Sequence, residues 1–348
     1  MKILFIILII VLVIILSFMF LGWIFSAPAY HGPVTDHFDG KKFVNPGGRK
    51  PGGFKDMIKW ARNRERGVWK ELKDVDYGPA PAERIYGDSV VVTFVNHSTF
   101  LIQTEGLNIV TDPVWSEFAS PVSFAGPKRM RPPGIRFEDL PPVDIILLTH
   151  NHYDHLDINT IKKLSHQFNP VIYTPLGGSL FLKKKGIMNV KEMDWWDEAE
   201  LAHNLKLICT PAQHFSGRGM FDRDKTLWSG FALMTEKGSI YYSGDTGFGE
   251  FFSEIAAKLA PVRLAFLPIG AYKPLWFMSV IHTSPSDAVE IHKILNSPKS
   301  IGMHFGTFPL ADDGMEEPGE ELNRLINEEG MSGEEFVRLN EGRAVVIR

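Results

Sequence analysis

The chain begins with one long apolar run. Residues Ile3 to Phe25 carry no charged side chain, and at about 1.5 Å per residue a helix of this length crosses a hydrocarbon core of about 30 Å. The run therefore predicts a single-pass membrane anchor over residues 1–26. A cleaved signal peptide is the alternative, with Lys2 as its charged start and Ala27-Pro28-Ala29 as its cleavage site. The apolar part of such a peptide usually spans only about 7–15 residues, which favours the anchor.

The charges that flank this run bear on its orientation. Lys2 favours an N-terminus on the cytoplasmic side, whereas Lys41, Lys42, Arg49 and Lys50 lie further along the chain on the other side. Long domains are translocated largely regardless of such charges. We therefore expect the N-terminus inside and the large domain outside the cytoplasm.

Residues 27–85 are predicted to be a linker followed by an amphipathic helical wrap. Gly32 to Gly53 is rich in glycine and proline, which cannot sustain a long helix or strand. From Phe54 to Leu72, apolar residues recur near helical spacing with basic residues between them, which predicts an amphipathic helix. This helix could lie on an anionic membrane surface. Gly67 and the interspersed acidic residues favour the alternative, a helix packed on the domain with a solvated face.

Residues 86–348 have the pattern of one large domain made of strands and helices. Ser89 to Pro113 contains three β-rich runs separated by polar turns, which predicts a meander, and strands then alternate with helical patterns. This order suggests two mixed sheets flanked by helices. Further strands are predicted at 145–149, 171–174, 205–210, 230–235, 239–243, 264–269, 300–304 and 344–347. Helices are predicted at 159–165, 178–185, 249–259, 284–296 and 319–328.

Composition narrows the class of function. A chain of 348 residues with 44% hydrophobic residues can bury a full core. The formal net charge of −4 lacks the basic footprint of nucleic-acid-binding proteins, so we expect no nucleic-acid partner. Cys209 is the only cysteine, which excludes an internal disulfide framework and a thiolate metal cluster. Any metal ion must therefore be held by histidines and carboxylates.

The run THNHYDHLD, residues 149–157, packs three histidines and two aspartates into nine positions after a predicted buried strand. A loop held by a rigid strand is a common place for chemistry. Because alternate residues of extended chain share a side, His150 and His152 can face one position while Asp154 and His155 reach a second. Neutral imidazole and carboxylate suit zinc and similar divalent metals.

Two metal ions need more ligands than one loop provides. Three further candidates follow apolar strands: His214 ends TPAQH, Asp245 lies in YYSGDTG, and His304 lies in SIGMHFGTF. Taken singly, a lone histidine is more often structural than a ligand, and an aspartate before Thr-Gly is more often a turn residue. Together with the loop, these three residues complete two coordination spheres.

The run His150-Asn151-His152-Tyr153-Asp154-His155 resembles the HxHxDH signature of the metallo-β-lactamase superfamily. The resemblance implies an α/β fold, the αβ/βα sandwich of two mixed sheets flanked by helices, here preceded by a transmembrane helix. It also implies two divalent metal ions, with Zn²⁺ as the expected ion. One ion would lie on His150, His152 and His214, the other on Asp154, His155 and His304, with Asp245 bridging both. Such a pair of ions can lower the pKa of a shared water, which favours hydrolysis over oxygen chemistry.

A closer resemblance extends over most of the chain after about residue 85. The segments from Thr111 to Asp157 and from Pro211 to Leu310 look like the N-acyl-phosphatidylethanolamine-hydrolysing phospholipase D family, on motifs that include TDPVW, GPKRMR, SGDTGF, LPIGAY and MHFGTF. This implies that a hydroxide bridging the metals cleaves a phosphodiester in a membrane phospholipid, releasing N-acylethanolamine and phosphatidic acid. The apolar N-terminus departs from the better-known members and leaves the acyl-chain and headgroup preference open.

Several other residues gain an interpretation from this resemblance. His282 matches a position near the lipid phosphate, where it could bind the phosphate or protonate the leaving oxygen, although a structural role is the alternative. Residues 276–278 either line an acyl-chain groove or belong to the core. Lys128, Arg129 and Arg131 either meet anionic headgroups or form a solvated basic loop. Residues 195–196, two tryptophans, either border the cleft or close a sheet edge.

The expected catalytic residues are thus Asp154, Asp245 and His282. A lactonase or another small-ester hydrolase of the same superfamily is the alternative function, since it would share every metal ligand. A binding protein that had kept only the fold would have a broken ligand set, whereas all seven ligands are present. The expected partners are a membrane phospholipid and the bilayer itself, through residues 3–25. The sequence leaves a homodimer open.

Overall fold

The structure, a computed structural model, describes residues 2–74, 77–201 and 205–347. Met1 of the predicted anchor and residues 75–76 of the predicted linker lie outside the described residues. The helices are α1 (Lys2–Phe25), α2 (Phe54–Arg62), α3 (Ile158–Phe168), α4 (Gly178–Lys184), α5 (Phe251–Leu259), α6 (Leu275–Met278), α7 (Pro285–Leu295) and α8 (Glu317–Glu328). Short 3₁₀ helices lie at Pro46–Gly48 and Phe137–Asp139.

The strands of the described residues form two sheets of seven strands each. In chain order they are β1 (Val90–Asn96), β2 (Thr99–Thr104), β3 (Leu107–Thr111), β4 (Ile145–Leu147), β5 (Val171–Pro175), β6 (Val190–Met193), β7 (Glu198–Glu200), β8 (Lys206–Thr210), β9 (Gly230–Thr235), β10 (Gly238–Tyr242), β11 (Val262–Pro268), β12 (Ser300–Met303), β13 (Phe336–Val337) and β14 (Ala344–Ile347). The first sheet has the order β14-β1-β2-β3-β4-β5-β6, and the second has the order β13-β12-β11-β10-β9-β8-β7.

Both sheets are mixed, with an antiparallel and a parallel half. In the first sheet β14, β1, β2 and β3 pair antiparallel, and β3 to β6 pair parallel. In the second sheet β7 to β10 pair antiparallel, and β10 to β13 pair parallel. Parallel strands bring their carboxyl ends to one edge of a sheet, where loops with functional residues commonly lie. This topology gathers the ends of β4, β10 and β12.

The main core lies between the two sheets. Buried side chains of β1 and β2, such as Phe94 and Phe100, pack with side chains of β9 and β11, such as Phe231 and Phe266. Helices α5, α7 and α8 cover the second sheet with side chains of the same cluster. A separate cluster packs α3 and α4 against the outer face of the first sheet. The order helix, sheet, sheet, helix is the predicted αβ/βα sandwich, so the predicted fold class is confirmed.

The predicted amphipathic helix after residue 54 is shorter than expected. Helix α2 ends at Arg62, and the residues up to Leu72 run extended along the domain. The Arg64 guanidinium donates to the Asp312 carboxylate, and Trp69 Nε1 donates to the carbonyl of Asp313. These tertiary hydrogen bonds replace the helical ones and override the local helical pattern. The segment is therefore packed on the domain, which is the alternative that its acidic residues and Gly67 favour over a membrane-surface helix.

The glycine- and proline-rich segment between α1 and α2 is an ordered wrap. Phe38 and Phe43 are buried in a small cluster with Trp228, which lies just before β9. Further along, the side-chain oxygen of buried Asn45 accepts a hydrogen bond of 2.9 Å from the backbone N–H of His214. The wrap thus supports the second sheet close to one of the predicted metal ligands.

Helix α1 contributes no side chain to these buried apolar clusters. It is 24 residues long, an 18-residue stretch of it has a mean hydropathy of 3.6, and none of its side chains is buried. Among the described residues it is the one helix long and apolar enough to cross a membrane, a property that it shares with signal sequences. Its apolar surface is exposed all round, in contrast to the one-sided faces of the helices that cover the sheets.

Candidate metal centre

The loop that follows β4 carries the densest group of candidate ligands. His150, Asp154 and His155 are buried, and His152 is half-buried. The loop ends at Asp157, whose carboxylate caps α3 by accepting from the backbone N–H groups of residues 159 and 160. A strand at one end and a capped helix at the other therefore hold the loop in place.

The three other predicted ligands reach this loop from the second sheet. His214 follows β8, Asp245 follows β10, and His304 directly follows β12. All three are buried. The turn before Asp245 depends on Gly244, which has a φ of +61°, and a Cβ there would lie 2.6 Å from the carbonyl oxygen of Ser229. A side chain at this position would displace Asp245, so the glycine permits the close approach of the strands.

The candidate ligands converge in two groups that match the predicted grouping. His150 Nε2 lies 2.8 Å from His152 Nδ1, which lies 3.2 Å from His214 Nε2. Asp154 Oδ2 lies 3.4 Å from His155 Nε2 and 3.3 Å from His304 Nε2. Spacing along the chain could not show whether the seven predicted ligands lie together. The structure brings all seven into one cluster.

Asp245 lies between the two groups. Its Oδ2 atom is 2.9 Å from His304 Nε2, 3.3 Å from His155 Nε2 and 3.7 Å from His214 Nε2. It therefore touches residues of both groups, as expected of a bridging ligand. Its other oxygen, Oδ1, is buried and has no hydrogen-bond partner among the described residues.

Hydrogen bonds behind the ligands fix which imidazole nitrogen faces the centre. His214 Nδ1 donates to the carbonyl of Ile281 at 2.8 Å, and His155 Nδ1 donates to the Asp112 carboxylate at 2.8 Å. A carbonyl and a carboxylate can only accept, so Nδ1 carries the proton and Nε2 is free to bind a cation. Asp112 itself is buried after β3 and also accepts from the Thr149 hydroxyl at 2.7 Å.

The electrostatics of the site favour cations. Burial disfavours ionisation of Asp245, but the nearby His155 and His304 outweigh it and hold the pKa of the carboxyl well below its usual range. In the opposite direction, burial lowers the pKa of His304, yet the carboxylates of Asp245 and Asp154 raise it to about 9. Burial also lowers the pKa of His152 to about 4, so this ring is neutral at pH 7. Ionised carboxylates and neutral imidazoles are the forms that bind divalent metals, so a metal ion bound here would displace the proton that the carboxylates hold on His304.

The donor set fits two divalent metal ions. Tetrahedral ligation at about 2.0–2.1 Å separates neighbouring ligand nitrogens by about 3.3 Å, close to the distances within each group of this centre. Buried His155 Nε2 has no hydrogen-bond partner among the described residues, an arrangement that is costly without a cation. Histidine and carboxylate ligands suit zinc, and second-sphere hydrogen bonds already orient them.

His97 belongs to this centre although the sequence analysis passed over it. It directly follows β1, is buried, and its Nε2 lies 3.1 Å from Asp154 Oδ2. Its backbone carbonyl accepts from the N–H of His304, which ties the ends of β1 and β12 together. Its position after an apolar strand is the same signal that selected the other ligands. Because His97 holds the oxygen of Asp154 that faces the second group, we expect it to orient this ligand.

Replacing His97 tests this positioning role. We expect His97→Ala to lower affinity for one of the two metal ions by about 10–100-fold, because Asp154 loses the hydrogen bond that fixes its carboxylate. Metal content measured by mass spectrometry after dialysis against graded chelator checks this. The control is His166→Ala, which removes an exposed histidine of α3. Equal metal retention by both variants would contradict the role of His97.

His282 lies at the rim of the centre. Its Nδ1 is 3.8 Å from Asp245 Oδ2 and has no hydrogen-bond partner among the described residues. Burial, above all, lowers its pKa to about 3, so the ring is neutral at pH 7. It therefore reaches the centre as an uncharged imidazole beside the predicted bridging carboxylate.

An apolar groove of about 710 Å³ opens onto the metal centre. His152, Asp154, Asp245, His282 and His304 form its floor. Its walls include Met57, Trp60, Phe215, Phe277, Met278 and Leu310. Of residues 276–278, Phe277 and Met278 thus line a groove and also pack in a small apolar cluster, whereas the Trp276 side chain is half exposed.

The basic loop at residues 128–131 and the two tryptophans at 195–196 contribute to the structure of the domain. Arg129 is buried and donates to the carbonyls of Val114 and Ser116, and Arg131 is buried in an ion pair of 3.0 Å with Glu341. Neither is a solvated or headgroup-binding side chain, so both interpretations of the basic loop were wrong for them. Lys128 is half-buried, and it pairs with Glu71. Residues 195 and 196 pack against the main core.

Comparison with known proteins agrees with this geometry. The profile of the Beta-lactamase superfamily domain matches residues 107–305. The chain is 38% identical over 340 residues to N-acyl-phosphatidylethanolamine-hydrolyzing phospholipase D 1 of Caenorhabditis elegans, covering 91% of this chain and 94% of that protein. It is 34% identical over 240 residues to the mitochondrial N-acyl-phosphatidylethanolamine-hydrolyzing phospholipase D of Saccharomyces cerevisiae, covering 67% of this chain and 51% of that protein.

The fold has relatives among solved structures. Igni18, a metallo hydrolase from the archaeon Ignicoccus hospitalis, superposes with a TM-score of 0.57 over 75% of this chain and 99% of its own, at 22% identity. This likeness concerns the fold, while the matching profile and the 38% identity concern the family. The chain is therefore a metal-dependent hydrolase of the metallo-β-lactamase superfamily and belongs to the family of the N-acyl-phosphatidylethanolamine-hydrolyzing phospholipases D.

Proposed function

We propose that the protein is a membrane-anchored phosphodiesterase that cleaves an N-acyl-phosphatidylethanolamine-like phospholipid at a centre of two divalent metal ions, with Zn²⁺ as the expected ion. The observation that carries the proposal is the apolar groove that ends on the ligand cluster. Its apolar walls suit acyl chains, and its floor of histidines and aspartates suits a phosphodiester. The relatives named for this reaction support the same substrate class.

The chemistry needs a nucleophile and a place for negative charge. Two divalent metal ions bound here would lower the pKa of a water to near 7 and neutralise charge that builds on the phosphoryl oxygens. The residues of the chain do the rest. Asp245 and the histidines would hold both ions, while Phe215 and Phe277 would keep water away from the lipid end of the groove.

His282 would bind the phosphate rather than protonate the leaving group. A ring with a pKa lowered to about 3 holds no extra proton at pH 7, so it can donate only the single N–H of the neutral form. One such N–H from the groove floor can reach a phosphoryl oxygen and orient it for attack.

Substitutions at His282 separate the two roles. We expect His282→Ala to lower kcat by about 10–100-fold without loss of metal, because one hydrogen bond to a charged oxygen contributes about 1.5–3 kcal/mol. His282→Gln, which keeps a donor, should recover most of the rate. A general acid at this position would make the rate fall as pH rises through its pKa, and both variants would lose that limb. We expect the pH profiles of the native protein and His282→Gln to have the same shape between pH 6 and 9.

The products of a defined lipid test the proposed reaction. The purified, metal-loaded chain is mixed with N-acyl-phosphatidylethanolamine in detergent micelles made with ¹⁸O-water, and the products are identified by mass spectrometry. We expect phosphatidic acid and N-acylethanolamine, with the label in phosphatidic acid, since attack at phosphorus transfers the oxygen of water to the phosphate. No product from a chain with two verified metal ions would refute the proposal and direct the search to lactones and small esters.

A further inference from the structure

The end of α1 is bound to the domain and does not leave it through a flexible linker. The Ser26 hydroxyl accepts from the N–H of Phe221 at 3.1 Å, and the N–H of Ala27 donates to the Asp222 carboxylate at 2.7 Å. The N–H of Met220 donates to the carbonyl of Gly22 inside the helix at 3.3 Å. These three hydrogen bonds join the helix end to one loop, residues 217–223, which we term the anchor seat.

Two facing glycines allow this contact. A Cβ on Gly22 would lie 2.7 Å from Met220 Cβ, and a Cβ on Gly219 would lie 2.5 Å from the carbonyl oxygen of Gly22. Real Cβ atoms do not approach other atoms so closely. The helix and the anchor seat therefore touch backbone to backbone, as small residues permit in tightly packed helices. Such a fit requires matched shapes on both sides.

The anchor seat also contacts the metal-binding loop that follows β4. The Arg218 guanidinium donates to the carbonyls of Asn151 and Leu156, at the two ends of the metal-binding loop. It also lies over the ring of Tyr153, at 3.9 Å from the ring centre. Two further residues of the seat, Gly217 and Arg223, line the substrate groove. One short loop thus connects the apolar helix, the metal-binding loop and the groove wall.

Exposed apolar side chains lie on the elements that contribute to the groove. On the seat, Met220 and Phe221 are 55% and 41% exposed next to the helix end. On α2 and α6, Phe54, which lines the groove, and Leu275 are 72% and 54% exposed. Lys59 of α2 also lies among them, over the ring of Trp276 at 4.4 Å. Apolar side chains with lysines beside them are typical of surfaces that rest on a lipid headgroup layer.

We infer that the anchor seat fixes the domain in one orientation on the bilayer, with Met220 and Phe221 in the leaflet beside α1 and the groove open along the leaflet surface. The inference rests on the proposed membrane anchor and lipid substrate. The occupant of the exposed apolar surface is a lipid leaflet, because this surface continues from the end of an apolar helix long enough to span one. A phospholipid would then enter the groove sideways without leaving the membrane.

Crosslinking tests the contact itself, independently of any reaction. We combine Gly22→Cys with Met220→Cys in the full chain in vesicles, where the native Cys209 is buried. A shift of about 1 Å from the present Cβ separation gives that of a disulfide. We expect oxidation to join the tryptic peptides 3–41 and 219–223. The control pair is Phe20→Cys with Met220→Cys, which places the cysteine in the same peptide on the opposite side of the helix. Equal crosslinking of the two pairs, or none, would overturn the inference.

Rates of lipid hydrolysis in vesicles and in micelles test whether the anchor seat affects access of the substrate to the groove. Gly22→Leu should separate the helix from the seat without changing the seat itself, while Gly333→Leu adds the same side chain in open space. We expect Gly22→Leu to hydrolyse lipid in vesicles about tenfold more slowly than Gly333→Leu and lipid in micelles at the same rate. Equal rates on vesicles would overturn the role of the seat in substrate access. A crosslinked chain with no hydrolysis in either assembly would instead refute the proposed function and leave the seat in place.

Discussion

Asp245→Ala lowers the rate of phosphodiester hydrolysis by about 10³-fold or more, the largest loss that we expect from any single substitution. Asp245 Oδ2 lies within 3.7 Å of nitrogens of His155, His214 and His304, which belong to both groups of ligands. Removing it takes away the only carboxylate that reaches both groups among the described residues and leaves the imidazoles of the two groups facing each other without a carboxylate between them. The centre can then neither hold two ions at a short separation nor orient them.

Metal content and rate are measured on the same sample. We expect Asp245→Ala to retain fewer than two ions per chain at a chelator concentration that leaves the native protein loaded. Asp224→Ala is the matched control, because it removes a carboxylate from the nearby loop that is not among the candidate ligands. Full metal content together with undiminished turnover in Asp245→Ala would show that the assignment of the bridging residue is wrong.

Removal of residues 1–26 reduces hydrolysis of lipid in vesicles by about 10²-fold and leaves the domain folded. An anchored enzyme meets its substrate at the high local concentration of the membrane surface, and untethering loses about 10²-fold or more of this advantage. The domain should remain folded because no side chain of α1 is buried. Sedimentation with vesicles, thermal unfolding and rates on vesicles and micelles together check the prediction.

The control replaces residues 3–18 by leucines and keeps residues 19–26. This chain retains a membrane-spanning helix and also the helix end that contacts the domain, so we expect vesicle hydrolysis close to that of the native protein. If the truncated chain cuts vesicle lipid as fast as the control does, the anchor has no part in substrate access. If it unfolds well below the control temperature, residues 1–26 stabilise the domain.

Strong local patterns predicted most of the fold. Within β11, for example, Leu264 to Pro268 is a continuous apolar run that is buried at every position, so the sequence predicts this strand readily. β6, β7 and β13 were missed because edge strands are short and partly exposed, which removes the period that identifies a strand. Helix α2 was drawn too long because the hydrogen bonds of Arg64 and Trp69 to distant residues cannot be read from local spacing.

The candidate metal centre, too, could be predicted only in part from local sequence. The ligands between His150 and His155 can be predicted because several ligand-type residues lie close together in the sequence. His214, Asp245 and His304 can be predicted because each follows a strand. His97 has the same position, but the run Asn96-His97-Ser98 also fits a polar turn between two strands, and only the fold brings His97 against Asp154. The groove could not be predicted as a unit, since its walls come from α2, α6 and the loop after β8, which are far apart in sequence.

The ligands of the proposed centre come from both sheets. His150 and Asp154 follow a strand of the first sheet, whereas His214, Asp245 and His304 follow strands of the second. The complete set exists only when the sheets are packed, so metal ions bind the native chain in preference to the unfolded one. By mass action, free metal at about 100 times its dissociation constant adds about 2.7 kcal/mol to the free energy of unfolding. Scarcity of the metal would therefore shorten the lifetime of the protein in the cell as well as silence its activity.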